Sequence, residues 1–128
     1  MLKLQSEYDD LDKYENEDED ICYYKKYTDK LHNPYGPAFI RNNGYKEYYI
    51  NGKLHRLDGP ALIYPSGTEY YYINSVKLGD SKQEFFENIK YLDSKPTNKK
   101  NKIDILNIKN FLLHGLDSSS LNILKSLL

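Results

Sequence analysis

The sequence predicts an α+β fold, an antiparallel β-meander of hairpin units followed by C-terminal helices. Three observations carry this. First, Lys30-Leu31-His32-Asn33-Pro34-Tyr35-Gly36-Pro37-Ala38 is answered 23 residues later by Lys53-Leu54-His55-Arg56-Leu57-Asp58-Gly59-Pro60-Ala61. The same offset takes Gly44 to Gly67, Tyr48-Tyr49-Ile50 to Tyr71-Tyr72-Ile73 and Asn51 to Asn74. Second, turn residues punctuate this stretch at short intervals. Third, beyond Val76 the apolar residues change to helical spacing. Self-similarity at a fixed period marks units that cannot each bury an apolar face alone.

Residues 1–20 carry nine acids against two lysines. Apolar residues are too sparse there to support packing, so the segment is expected to be a flexible acidic arm. Residues 21–78 form the hairpin region. Asn42-Asn43-Gly44, Asn51-Gly52, Asp58-Gly59 and Pro65-Ser66-Gly67 mark its turns. Asn-Gly is the strongest of these, because both central residues of a type I′ turn need positive φ. Strands are expected at 38–41, 45–50, 61–64 and 68–73, which are rich in tyrosine and isoleucine. An earlier strand at 23–27 aligns with 46–50, and 28–31 with 51–54.

Strand alternation sorts the side chains onto two faces. Tyr45, Glu47 and Tyr49 point one way, and Lys46, Tyr48 and Ile50 the other. In the next copy Tyr70 and Tyr72 oppose Glu69, Tyr71 and Ile73. Both faces thus carry large rings, in a chain with 14 Tyr, 4 Phe and no Trp. The rings either cover a thin sheet or meet a partner. Tyrosine suits the second role, since it offers large contact area at little cost in side-chain entropy. Tyr45, Tyr48, Tyr49, Tyr70, Tyr71 and Tyr72 are therefore the candidate partner-binding residues.

A capping helix is expected over 79–92. Ser81-Lys82-Gln83-Glu84 reads as its capping box, with Phe85, Phe86, Ile89 and Leu92 on one side. Residues 93–102 form a polar, proline-containing linker, and 103–128 a helical tail. Within that tail one helix spans about 103–114 and another about 119–128, behind Asp117 or Ser118. Ile105, Ile108, Phe111, Leu112, Leu121, Leu124, Leu127 and Leu128 make broad apolar stripes. These helices are expected to cap the sheet or to pair with another chain, as in a homo-oligomer.

No reaction is announced. Phosphate-binding glycine loops, paired cysteines and nucleophile elbows are absent from the sequence, so no enzyme activity, cofactor or metal is expected. His32 and His55 hold equivalent positions, which predicts a repeated structural hydrogen bond. His114 fits a helix C-terminus. Cys22, the single cysteine, lies beside Glu19 and Asp20, which oppose thiolate formation. The lysines at 95–102 lack interleaved aromatics, so nucleic acid is not the expected partner. One cysteine, no apolar leader and no apolar run of membrane-spanning length point to a cytoplasmic protein.

The string Gly52-Lys53-Leu54-His55-Arg56-Leu57-Asp58-Gly59-Pro60-Ala61, followed by Gly67 and Tyr71-Tyr72-Ile73-Asn74, resembles the variant MORN-type repeats of bacterial, phage and large-DNA-virus proteins. The likeness covers residues 27–78. Ser75 stands where the pattern has glycine, and Asn33-Pro34-Tyr35 replaces Arg-x-Asp in the first copy. Residues 73–78 and the helix after Ser81 look like the family's usual ending. The resemblance implies a single-layer hairpin sheet and non-enzymatic binding. Some related bacterial proteins are labelled antitoxins, and others are held to be scaffolds or membrane-associated modules. The leading expectation is an interaction module that binds a protein partner through its tyrosine-rich sheet. The alternative is a phage or viral inhibitor, antitoxin-like, whose acidic arm blocks a basic or nucleic-acid-binding target.

Overall fold

The computed structural model describes residues 1–90 and 116–127. The expected linker at 93–102, the helix at 103–114 and residues Leu92, His114 and Leu128 lie outside them. The strands are β1 (Leu2–Leu4), β2 (Leu11–Glu15), β3 (Ile21–Lys25), β4 (Phe39–Ile40), β5 (Lys46–Glu47), β6 (Tyr49–Ile50), β7 (Lys53–Leu54), β8 (Leu62–Ile63), β9 (Glu69–Ile73) and β10 (Val76–Gly79). Two helices follow, α1 (Lys82–Ile89) and α2 (Ser118–Ser126). Eight strands form one antiparallel sheet in the order β1-β2-β3-β4-β5-β8-β9-β10, and β6-β7 is a separate hairpin. This is the meander expected of hairpin-connected strands.

The 23-residue spacing reappears as hydrogen bonds. Ala38 N–H donates to Glu47 O, and Ala61 N–H to Tyr70 O. Asn33 N–H donates to Tyr49 O, and Arg56 N–H to Tyr72 O. Gly52 N–H donates to Leu31 O, and Ser75 N–H to Leu54 O, both at 2.8 Å. The departures of the first copy preserve its bonding too. Asn33 Nδ2 donates to Pro37 O at 3.0 Å, as Arg56 Nη1 does to Pro60 O at 3.1 Å.

Two details differ from the sequence reading. The strand expected over 45–50 is broken at Tyr48, where pairing passes from β8 to β7: Tyr48 N–H donates to Ala61 O, and Tyr48 O accepts from His55 N–H. The earlier strand aligns differently as well. Tyr23 N–H donates to Ala38 O, the counterpart of the Tyr48 bond to Ala61, so Tyr23 matches Tyr48 and not Lys46. The spacing there is 25 because the loop between Lys25 and Lys30 is two residues longer than Asn51-Gly52.

Residues 1–20 are not an arm. Leu11–Glu15 pairs with Ile21–Lys25 on one side and with Leu2–Leu4 on the other. The hairpin at 16–19 copies its successors: Glu19 N–H donates to Asn16 O, as Gly44 does to Arg41 O and Gly67 to Tyr64 O. Acid density did not prevent packing, because several of the acids find partners. Glu7 Oε1 accepts from Tyr23 Oη at 2.7 Å, Asp12 pairs with Lys3 at 3.2 Å, and Asp20 Oδ1 accepts from Asn42 N–H at 2.9 Å.

The turns make one prediction. Gly44 and Gly67 have φ of 96° and 91°, whereas Glu19 holds φ 65° in the equivalent place. In the type I′ turns, Asn51-Gly52 is matched by Asn74-Ser75, with Ser75 at φ 67°. Left-handed backbone costs a residue with a Cβ about 1–2 kcal/mol, partly offset by the extra unfolded-state freedom of glycine. Ser75→Gly and Glu19→Gly are each expected to raise stability by about 0.5–1 kcal/mol. Urea midpoints check this, and a loss of stability in either variant contradicts the turn assignment.

The core sits between one sheet face and the helices. Tyr71, Ile73 and Leu78 from β9 and β10 pack with Phe85 and Ile89 of α1 and Leu124 of α2. The helices therefore cap the sheet. Ser81 Oγ accepts from Glu84 N–H at 3.1 Å, and Asp117 Oδ1 from Ser120 N–H at 2.7 Å, satisfying free amides at both helix starts. Gly79 permits the close approach of α1: a Cβ there would lie 2.8 Å from Phe85 N and 3.1 Å from Ser81 O. No described helix is long and apolar enough to cross a membrane.

Candidate interaction surface

Four neighbouring strands build a row of rings on the sheet face that the helices leave uncovered. The register pairs Phe39 with Glu47, Glu47 with Leu62, and Leu62 with Tyr70, placing these side chains on one face. Tyr45 and Tyr64 stand two residues from Glu47 and Leu62, where alternation returns them to that face. Ring centroids are 6.5 Å apart for Phe39–Tyr45, 5.0 Å for Tyr45–Tyr64 and 5.7 Å for Tyr64–Tyr70. All three contacts are edge-to-face, the arrangement that ring quadrupoles favour. A cation stands at each end. Arg41 lies 5.7 Å from the Phe39 centroid and 5.3 Å from that of Tyr45, and Lys77 Nζ lies 4.4 Å from the Tyr70 ring.

The six tyrosines expected at a binding face divide. Tyr45 and Tyr70 belong to the row. Tyr49 lies beside it, donating its hydroxyl to Glu47 Oε2 at 3.1 Å, and Tyr72 pairs in register with Lys77. Burial, reinforced by Glu47, raises the Tyr45 hydroxyl pKa and pushes that of Tyr49 up to about 12. Both are neutral donors at physiological pH. Tyr48 and Tyr71 face the other way. Tyr71 is 4% exposed and stacked on Phe85 at 4.9 Å, so it packs in the core and not on the exposed face. The residue types alone did not separate it from Tyr48, because the cover comes from α1.

Sequence reasoning missed Phe39, Arg41 and Tyr64. Tyr64 is the most exposed ring of the row at 37%. It matches Arg41 at the 23-residue spacing, and that equivalence was the available signal. Beneath the same face lie Leu62 and Cys22, both buried. Burial first, then Asp20 and Glu47, raise the Cys22 pKa, which keeps it a thiol. Among the described residues no group of three or more His, Cys, Asp or Glu side chains is placed to hold a metal ion.

The histidines do what their recurrence suggested. His32 Nδ1 accepts from Asn51 N–H at 2.9 Å, and His55 Nδ1 from Asn74 N–H at 3.1 Å. Each clamps the turn that follows its own strand pair. An imidazolium has no free Nδ1 lone pair, so the bond requires the neutral ring. Burial lowers both pKa values, with Lys25 adding to the fall for His32 and Asp10 opposing it, while Asp117 and the Asn74 side chain oppose it for His55. The unfolded chain thus binds more protons than the folded one below the ordinary imidazole value. Stability is expected to be full above about pH 6.5 and to fall as the pH drops toward the depressed folded values. Glu7, Asp20 and Asp117, whose pKa values are lowered, add a further loss only in the carboxylate range. Urea midpoints at pH 7.5 and 5.5 isolate the imidazoles, and equal midpoints contradict the bonding.

No family model, curated protein or solved structure matches this chain.

Proposed function

We propose that the chain is a non-enzymatic protein-interaction module, and that the row Phe39–Tyr45–Tyr64–Tyr70 is its binding face. The observation that carries this reading is the continuity of the rings across four strands, bounded by Arg41 and Lys77. Half-exposed tyrosines and arginine are the side chains that dominate protein interfaces energetically. A rigid sheet presents them with little ordering cost on binding.

The hydrogen bonds repeated at 23 residues also support membership of the variant MORN-type repeats and the scaffold role which that resemblance implies. A cytoplasmic setting and a phage or viral origin stand on the same resemblance and on composition. Charge mimicry by residues 1–20, with an antitoxin-like role, has less behind it. Glu7, Asp10, Asp12 and Asp20 are engaged by Tyr23, Tyr35, Lys3 and Asn42, which leaves Glu17, Asp18 and Glu19 at the hairpin tip as the exposed acidic run.

The test compares wild type with Tyr64→Ser and Tyr70→Ser as bait in lysate of the native host, with mass-spectrometric identification. The expected result is a captured protein lost at least tenfold by both variants while their circular dichroism is unchanged. Equal capture by well-folded variants would overturn the reading.

A further inference from the structure

The three matched hairpins each place one tyrosine toward the helix-bearing face: Tyr23, Tyr48 and Tyr71. The outer two are fully served by this chain. Tyr23 gives its hydroxyl to Glu7 Oε1 at 2.7 Å, and the Tyr8 ring leans on it at 6.1 Å. Tyr71 gives its hydroxyl to Glu69 Oε2 at 3.4 Å, and the Phe85 ring stacks on it at 4.9 Å. Each therefore has one carboxylate and one aromatic cover. In the first unit the two are sequence neighbours, Glu7-Tyr8, whereas in the third the carboxylate is Glu69, and Glu84, which precedes Phe85, accepts from Asp80 N–H.

Tyr48 has neither. The position matching Glu69 is Lys46, and no described residue accepts from the Tyr48 hydroxyl. The Arg56 guanidinium lies over the Tyr48 ring at 4.1 Å, held by Asp58 Oδ1 and Pro60 O at 3.1 Å each. Beside them opens a cleft of about 490 Å³, whose lining includes Pro34, Tyr35, Ile50, Leu57 and, from α2, Ile123. Ile123 is 46% exposed, although it faces this cleft. The charged groups around the site are Lys46, Arg56, Asp58, whose carboxylate is already taken by Arg56, Asp10, which accepts from the Tyr35 hydroxyl, and Asp117, which faces the neutral, half-buried His55. Lys46 stands where the next unit has the Glu69 carboxylate.

We propose that this cleft docks a peptide segment of a protein partner that carries an aromatic residue directly after an acidic one. The ring enters between Tyr35 and Ile123 and stacks on the Tyr48–Arg56 pair, and the carboxylate accepts from the Tyr48 hydroxyl beside Lys46 and Arg56. The segment supplies to the middle unit what Glu7-Tyr8 and Glu69 with Phe85 supply to its neighbours. The cleft lies on the opposite face from the ring row, so the inference does not depend on the function proposed above.

The probe is a blocked peptide copying residues 81–90, titrated into isotope-labelled full-length protein and followed by NMR. Saturable shifts are expected at Tyr48, Ile50, Arg56, Leu57 and Ile123. Replacing both phenylalanines of the peptide by alanine is expected to weaken binding at least tenfold, and replacing its glutamates by glutamine at least threefold. Lys46→Glu restores the carboxylate found in the neighbouring unit and is expected to weaken binding at least tenfold. Tyr48→Phe is expected to abolish the preference for glutamate over glutamine, and Tyr64→Ser, on the other face, to change nothing. Several outcomes would overturn the proposal: no saturable binding at millimolar peptide, or shifts centred on Tyr71 and Phe85, meaning that the peptide merely displaces α1. An unchanged affinity in Lys46→Glu, or a loss in Tyr64→Ser, would do so as well.

Discussion

Phe85→Ala is expected to lower the unfolding free energy by about 3–5 kcal/mol, the range for removing a fully buried aromatic side chain. Phe85 is 2% exposed and touches each part of the cap. It stacks on Tyr71 of β9 at 4.9 Å, meets Phe86 at 5.9 Å and shares a cluster with Ile73, Leu78, Ile89 and Leu124. Little can close over the vacated volume, because Gly79 already brings the α1 backbone as near to β10 as atoms allow. Phe86, which is only half-buried, serves as the control: Phe86→Ala is expected to cost about 1–2 kcal/mol. Urea unfolding followed by circular dichroism measures both. Equal and small losses would mean that α1 does not rest on the sheet through Phe85.

Leu11→Ala is expected to cost about 2–5 kcal/mol by the same reasoning. Leu11 is 2% exposed and opens β2, paired in register with Lys25. It sits in the most acidic part of the chain, so the prediction separates two views of residues 1–20 sharply. In an unpacked arm the substitution falls within about 0.5 kcal/mol of neutral, as surface changes do. In the observed sheet it leaves a cavity beneath the first hairpin. A shift in the urea midpoint decides between them, with hydrogen exchange at Tyr23 and Cys22 as a second readout, since both are buried beside β2.

The hairpins between 38 and 78 were legible because their turns need glycine or asparagine at positive φ, and those residues stand where the turns occur. The bonds of His32 and His55, the Ser81 cap and the Asp117 cap were legible for similar reasons: each is a local arrangement written in neighbouring residues. Residues 1–20 were not, and three causes can be named. Their turn lacks glycine, since Glu19 adopts φ 65° itself. The two extra residues between Lys25 and Lys30 shift the spacing and hide the equivalence of Tyr23 to Tyr48. The acids also look unpaired until the fold brings Tyr23, Tyr35 and Lys3 to them.

The candidate surface was half legible. Alternation correctly put Tyr45, Tyr49, Tyr70 and Tyr72 on one face, with Tyr48 and Tyr71 on the other. It did not reveal that Phe39 and Tyr64 complete the row, because that depends on which strands become neighbours. Nor did it distinguish Tyr71 from Tyr48, which occupy matched places in nearly identical sequence. The difference arises at the matched residues Arg56 and Gly79: one carries a long side chain over its ring, and the other leaves room for a helix.

Strand order in the sheet almost follows chain order, interrupted only by the short β6-β7 hairpin. Every ladder therefore closes between segments near one another along the chain, and the entropy spent on closing each loop is small. A β-rich protein of this kind is expected to fold faster than sandwiches of similar size, whose strands must search for distant mates. Any one hairpin can serve as a nucleus, with growth spreading to both sides. The C-terminal helices then act as a final latch, closing on β9 and β10 only after those strands have met.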